Sequence, residues 1–288
     1  MHTERIIEGA VLFGLLWVYP VGLRACALAA VKREAWLARR ARITVWAAGA
    51  INALSFALPG VFALRQLGAA AFSVFALLCV WLAGLRVVRR RSLRPEDFLL
   101  DYALVTPPVA ALWLWVYQLE LSFRGFSGLW AVLTLAHFIF AGFGTLTLVA
   151  MLARAQPANG KLRQALTLVA VLLGLGLPVL ALGIDGRPDL ERVGVGTYGL
   201  ALPLLAVIQG STAWRSRRVS GLRRAALGLS ALTVVCTAVL AVGYGLLRLP
   251  SLSIPRMVHL HGLANAFGFV GLGLWALSSW HDAAPAKE

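Results

Sequence analysis

Residues 162–184 read LRQALTLVAVLLGLGLPVLALGI, with Arg163 the only charge until Asp185. At a rise of ~1.5 Å per residue this run makes a helix of about 35 Å, longer than the ~30 Å hydrocarbon core of a bilayer. A soluble helix is apolar along one stripe; this one is apolar all round. Eight further runs have the same character: 6–31, 43–64, 67–88, 98–119, 129–152, 193–214, 225–247 and 258–280. The expected fold is therefore all-α, a polytopic transmembrane helical bundle of about nine spans. Only Arg65 and Gln66 separate 43–64 from 67–88, so those two spans are expected to form a tight hairpin. Nothing between the spans is long enough to fold by itself, and 1–288 is read as one integral membrane domain. Composition agrees: 60% of residues are apolar and 14% charged, against about 45–50% and about 25% in soluble domains. An ordinary globular protein, a disordered chain and a disulfide scaffold are excluded.

Lys and Arg number 27 against 12 Asp and Glu, a formal net charge of +15. The charge alternates along the chain. Lys32, Arg33, Arg39, Arg40 and Arg42 follow the first span; Arg86, Arg89, Arg90, Arg91 and Arg94 follow the third. Arg154, Lys161 and Arg163 follow the fifth, and Arg215, Arg217, Arg218, Arg223 and Arg224 the seventh. The N-terminus and the even-numbered loops hold only Arg5, Arg65, Arg124, Arg187, Arg192, Arg248 and Arg256. By the positive-inside rule the N-terminus is expected outside and the C-terminus in the cytoplasm. The basic charge is thus a topology signal. A nucleic-acid partner is excluded, and contact with anionic headgroups is secondary. The expected partners are the lipid bilayer and a lipophilic or small-molecule ligand. Glu4 and Glu8 flank Arg5 at the head of a long apolar run, which fits an N-out anchor better than a cleaved signal peptide. Cys26, Cys79 and Cys236 lie in spans without CxxC spacing and are expected to be buried and inert.

Polar residues inside spans carry more information, because each is costly unless paired or hydrated. With this topology His137, His259, His261, Asn265, Glu8, Glu120, Asp185 and Arg256 all fall in or near the outer half of the membrane. His259 and His261, two residues apart, point to opposite sides of a helix; His261 and Asn265, at i and i+4, share a face. Small residues lie below each polar group: Gly268 below His261, and Ala141 and Gly144 below His137. The functional reading is one pocket lined by His137, His261 and Asn265, with Glu120 or Asp185 as carboxylate partner. The structural alternative has the histidines bonding backbone carbonyls and holding helices together. Asn52 and Gln209 are read as interhelical hydrogen-bonders, Asp101 as an ion-pair partner of the nearby arginines, and Arg24 as a snorkelling cation. Trp36, Trp130, Trp214 and Trp280 read as interface anchors. Pro107, Pro108, Pro178 and Pro203 are read as simple kinks. Gly194-Val195-Gly196-Thr197-Tyr198-Gly199 satisfies G-x-G-x-x-G, but no strand precedes it, and close helix packing explains it better than a dinucleotide.

At these residues the chain resembles a known family. Leu133-Thr134-Leu135-Ala136-His137-Phe138-Ile139-Phe140-Ala141-Gly142-Phe143 resembles the LTxxHFxxAGF signature of the YndJ-like bacterial membrane proteins. Gly176-Leu177-Pro178-Val179-Leu180-Ala181-Leu182-Gly183 is similar to the next motif, and His261-Gly262-Leu263-Ala264-Asn265-Ala266-Phe267-Gly268-Phe269 to the terminal HGxxNAxGF block. The resemblance implies a multi-pass protein of the bacterial cytoplasmic membrane and no established reaction. Members often carry a second histidine where this chain has Ile139, which weakens a paired-histidine metal site. His259-x-His261 followed by Gly268-Phe269-Val270 also resembles a fragment of haem–copper oxidase-type proteins. No cofactor is expected, and haem on two axial histidines is the minor alternative.

These readings lead to a membrane-embedded enzyme performing acid/base isomerisation, cyclisation or hydrolysis on a lipophilic small molecule. His137 and His261 would be the acid/base pair, Asn265 the substrate hydrogen-bond donor, and Glu120 or Asp185 the carboxylate. A small-solute transporter built on the same residues is the first alternative, and a haem-binding or non-catalytic membrane subunit the second.

Overall fold

The structure, a computed structural model, describes residues 2–27, 31–90, 94–157, 160–215 and 220–278. Among these residues nine helical rods follow one another: α1 His2–Ala27, α2 Lys32–Ala57, α3 Phe62–Arg89, α4 Pro95–Gln118 and α5 Gly128–Arg154, then α6 Lys161–Ile184, α7 Pro188–Arg215, α8 Gly221–Gly245 and α9 Ile254–Ser278. All but α2 are apolar and long enough to cross a membrane. The protein is an all-α polytopic helical bundle. Among the sequence readings, Arg91, Arg217, Arg218, Trp280, residues 28–30 and the chain beyond 278 lie outside the described residues.

Two boundaries differ from the sequence reading. The α2–α3 reversal occupies Leu58–Val61, where the Val61 amide donates to the Leu58 carbonyl at 3.0 Å, and not Arg65–Gln66. Pro59 and Gly60 supply the turn chemistry, while Arg65 is helical and donates to Glu120 at 2.8 Å. The basic run after the first span is also helical from Lys32 onward. Lys, Arg, Glu, Ala and Leu are all good helix formers, and buried Glu34 pairs with Arg89 of α3 at 2.5 Å. That charged first half is what lowers the mean hydropathy of α2.

The chain divides into two compact units, Met1–Thr147 and Leu148–Glu288. The first centres on Tyr19, whose ring lies 4.8 Å from Phe75 and 4.5 Å from Phe143, with Phe72 at 5.8 Å. Such ring pairs contribute about 0.5–1.5 kcal/mol each beyond area burial. Gly22 permits the approach, since a Cβ there would sit 2.5 Å from Phe143. Asn52 donates to the Ala48 carbonyl (2.8 Å) and across to that of Gly68 (3.0 Å), and accepts from Gln118 at 3.2 Å, so it bridges α2, α3 and α4. Asp101 of α4 accepts from Arg86 at 2.6 Å and pairs with Arg90. Both residues act as their sequence positions suggested. α4 bends at Val105–Thr106, immediately before Pro107 and Pro108, because neither proline has an amide proton to continue the helical hydrogen-bond ladder.

In the second unit α6 and α7 pack backbone to backbone. A Cβ on Gly183 would collide with the main chain of Glu191, and one on Gly194 would lie 2.7 Å from the Leu180 Cα. Gly199 faces Val242 at 3.0 Å. Two glycines of the G-x-G-x-x-G run therefore sit at helix contacts, and Gly186, at φ +103°, makes the turn between α6 and α7. Gln209 of α7 donates to Ser230 of α8 at 3.2 Å, and Ser230 donates to the Phe269 carbonyl of α9 at 2.7 Å. Pro178 and Pro203 are accommodated inside continuous helices. Cys26 and Cys79 are buried as expected, but Cys236 is exposed. It lies on the face of α8 that carries exposed Leu232 and Val239, one turn to either side.

Candidate functional site

Three rods contain π-helical stretches: Gly14–Val18 in α1, Phe138–Gly144 in α5 and Val258–Gly271 in α9. Such stretches cluster at functional positions. Here two of them coincide with the two histidine motifs: His137 immediately precedes one, and His259 and His261 lie in the first turn of the other.

All three histidines are tethered through Nδ1 to a backbone carbonyl. His137 bonds the Leu133 carbonyl at 2.8 Å and His259 that of Pro255 at 2.7 Å, each one turn back on its own helix. His261 reaches instead to the Thr237 carbonyl of α8, at 2.9 Å. A carbonyl only accepts, so Nδ1 carries the proton in each case, and Nε2 is the basic nitrogen when the ring is neutral.

Around His261 this builds a defined group. Asn265 Nδ2 lies beside the His261 ring, 3.2 Å from Nε2 and 3.4 Å from Nδ1, and Asn265 Oδ1 accepts from the Thr237 hydroxyl at 2.7 Å. Thr237 is buried, while His261 and Asn265 are half-buried. The set holds a base in one tautomer with an amide donor beside it, an arrangement suited to moving a proton and gripping a polar substrate atom. His259 faces away and is exposed, as its two-residue offset requires.

The other candidates are placed as follows. His137 and Glu120 belong to Met1–Thr147, and Asp185, His261 and Asn265 to Leu148–Glu288. His137 is exposed. Glu120 follows α4 at φ +55°, is largely exposed, and is engaged by Arg65 at 2.8 Å. Asp185 caps the C-terminus of α6, its amide donating to the Ala181 carbonyl at 3.3 Å. Among the described residues no group of three or more His, Cys, Asp and Glu could hold a metal ion.

Two sets of partners escaped the sequence reading. Thr237 is an unremarked hydroxyl in an apolar span, visible only once α8 and α9 are paired. In the first unit, buried Glu8 accepts from Tyr117 at 2.8 Å and from Arg5 at 3.1 Å, and Arg5 also reaches the Phe56 carbonyl. The signal available was Glu8 itself, because a buried carboxylate requires donors.

The family model described as YndJ-like protein matches residues 9–269. The chain belongs to that family. It is 27% identical over 206 residues to the uncharacterized membrane protein YndJ of Bacillus subtilis (strain 168), covering 70% of this chain and 36% of that protein. The chain thus spans little more than a third of that relative's length. No solved structure matches.

Proposed function

We propose that this YndJ-like membrane protein is a membrane-embedded enzyme of the bacterial cytoplasmic membrane. It would carry out acid/base isomerisation, cyclisation or hydrolysis on a lipophilic small molecule at His261. The observation that carries the reading is the group of His261, Asn265 and Thr237: Nδ1–H held by a carbonyl of α8, Nε2 left as the basic nitrogen, and the Asn265 amide beside the ring. In this reading His261 Nε2 takes a proton from the substrate and returns it at another atom, while Asn265 holds the substrate's polar group in place. Asp185, in the same unit as His261, is the carboxylate candidate. With α2 crossing as the ninth span, the alternating arginines orient the chain with its N-terminus outside and His261 toward the outer face.

The test compares lipid extracts of cells producing the wild-type chain with those producing His261→Ala or Thr237→Val, resolved by mass spectrometry. One lipophilic species should be converted by the wild type and lost with His261→Ala. Thr237→Val should keep the conversion, because the backbone carbonyl that sets the tautomer remains. A species moved unchanged across proteoliposomes would overturn the enzyme reading in favour of transport.

A further inference from the structure

The unit Met1–Thr147 contains two groups of arginines with opposite circumstances. Arg86, Arg89 and Arg90 are neutralised: Arg86 bonds Asp101 at 2.6 Å, Arg90 pairs with Asp97 at 3.1 Å, and Arg89 pairs with Glu34 at 2.5 Å. Arg24, Arg39 and Arg42 have no hydrogen bond or ion pair to a carboxylate among the described residues.

Helix register brings those three together. Trp46 Nε1 donates to the Leu16 carbonyl at 3.2 Å, and Leu16 also packs where a Cβ of Gly49 would sit, which fixes α1 against antiparallel α2. Arg24 lies about 12 Å beyond Leu16 along α1, and Arg39 about 10 Å back from Trp46 along α2, so the two share one level. Arg42, at i+3 from Arg39, is on the same face. Its guanidinium stands 5.6 Å from the Trp46 ring centroid, and its Nε is buried without a hydrogen-bond partner among the described residues. Burial, together with the charges of Arg24 and Arg39, pushes the Arg42 guanidinium below its ordinary range.

Three guanidiniums converging without a counter-charge, one with an orphaned buried donor, call for an anion from outside the chain. We propose that Arg24, Arg39 and Arg42 form a binding site for the phosphodiester headgroup of an anionic phospholipid. The two non-bridging oxygens of a phosphodiester match the guanidinium fork. Exposed Leu16, Ile43 and Trp46 beside the cluster offer an apolar surface for an acyl chain, which a free phosphate ion would leave unused. The neutralised group around Arg86 has its own carboxylates and does not compete.

The experiment titrates the delipidated full-length chain in detergent with dioleoyl-phosphatidylglycerol, dioleoyl-phosphatidylcholine or sodium phosphate, read by native mass spectrometry and thermal shift. The wild type should bind phosphatidylglycerol in preference to the other two. R24Q/R39Q/R42Q should weaken that binding roughly tenfold or more, as expected for basic residues near an anionic headgroup. R24Q/R39Q removes only exposed side chains, so the fold is retained, and it should lose several-fold. Equal phosphatidylglycerol affinity in wild type and R24Q/R39Q would overturn the site. So would phosphatidylcholine binding as tightly, or sodium phosphate displacing the lipid at equal concentration.

Discussion

The His137 segment of α5 and the His261 segment of α9 look alike in sequence: a histidine, a π-helical stretch, aromatic residues and glycines beneath. Their surroundings differ. His137 is tied to its own helix and is exposed, whereas His261 crosses to α8 and is drawn into a group with Asn265 and Thr237. The same local chemistry therefore gives a presented side chain in one unit and an interhelical tie in the other. What separates them is whether a neighbouring helix offers a carbonyl and a hydroxyl at the right level.

That contrast can be tested directly. The largest effect is expected from His261→Ala, which should lower conversion of the lipophilic substrate by about 10²–10⁴-fold, the usual contribution of a positioned acid or base. A loss no greater than that of Thr237→Val, measured in the same extracts, would reduce His261 to a tie. Next in size is the glycine beneath each motif. A Cβ on Gly268 would lie 2.9 Å from the Thr233 methyl carbon, whereas one on Gly142 would lie 3.3 Å from Thr106. Gly268→Ala should therefore cost about 1–3 kcal/mol, and Gly142→Ala visibly less, in thermal midpoints of the purified protein in detergent. Asn265→Ala should cost about 1–2 kcal/mol, because the buried Thr237 hydroxyl loses its acceptor. The smallest effect is expected for stability at His137: His137→Ala should stay within about 0.5 kcal/mol. A drop comparable with Asn265→Ala would show that the two motifs are more alike than their contacts indicate.

Much of this was legible along the chain. Runs such as 162–184 can satisfy their backbone in hydrocarbon only as helix, so the helical class followed from apolarity alone. The i, i+4 pairing of His261 with Asn265 followed from helical periodicity. Asp101 among the arginines was legible because a carboxylate in a span must be paired. The hairpin turn falls at Pro59–Gly60, whose backbone chemistry sets the reversal, and a gap in apolarity such as Arg65–Gln66 is a weaker marker. The exposure of Cys236 is not legible in the sequence, because a cysteine on the outer face of an apolar helix has the same composition signal as one in a core.

The sequence by itself determined an all-helical membrane protein, its scarce polar residues, and the pairs that lie one turn apart, because length, apolarity and helical period are properties of a single segment. Only the tertiary structure decided which of those residues meet. The Thr237 carbonyl that sets the His261 tautomer, the Arg65 that claims Glu120, and the register that gathers Arg24 with Arg39 and Arg42 all come from other helices. Contacts between helices depend on packing register, and no single span encodes it.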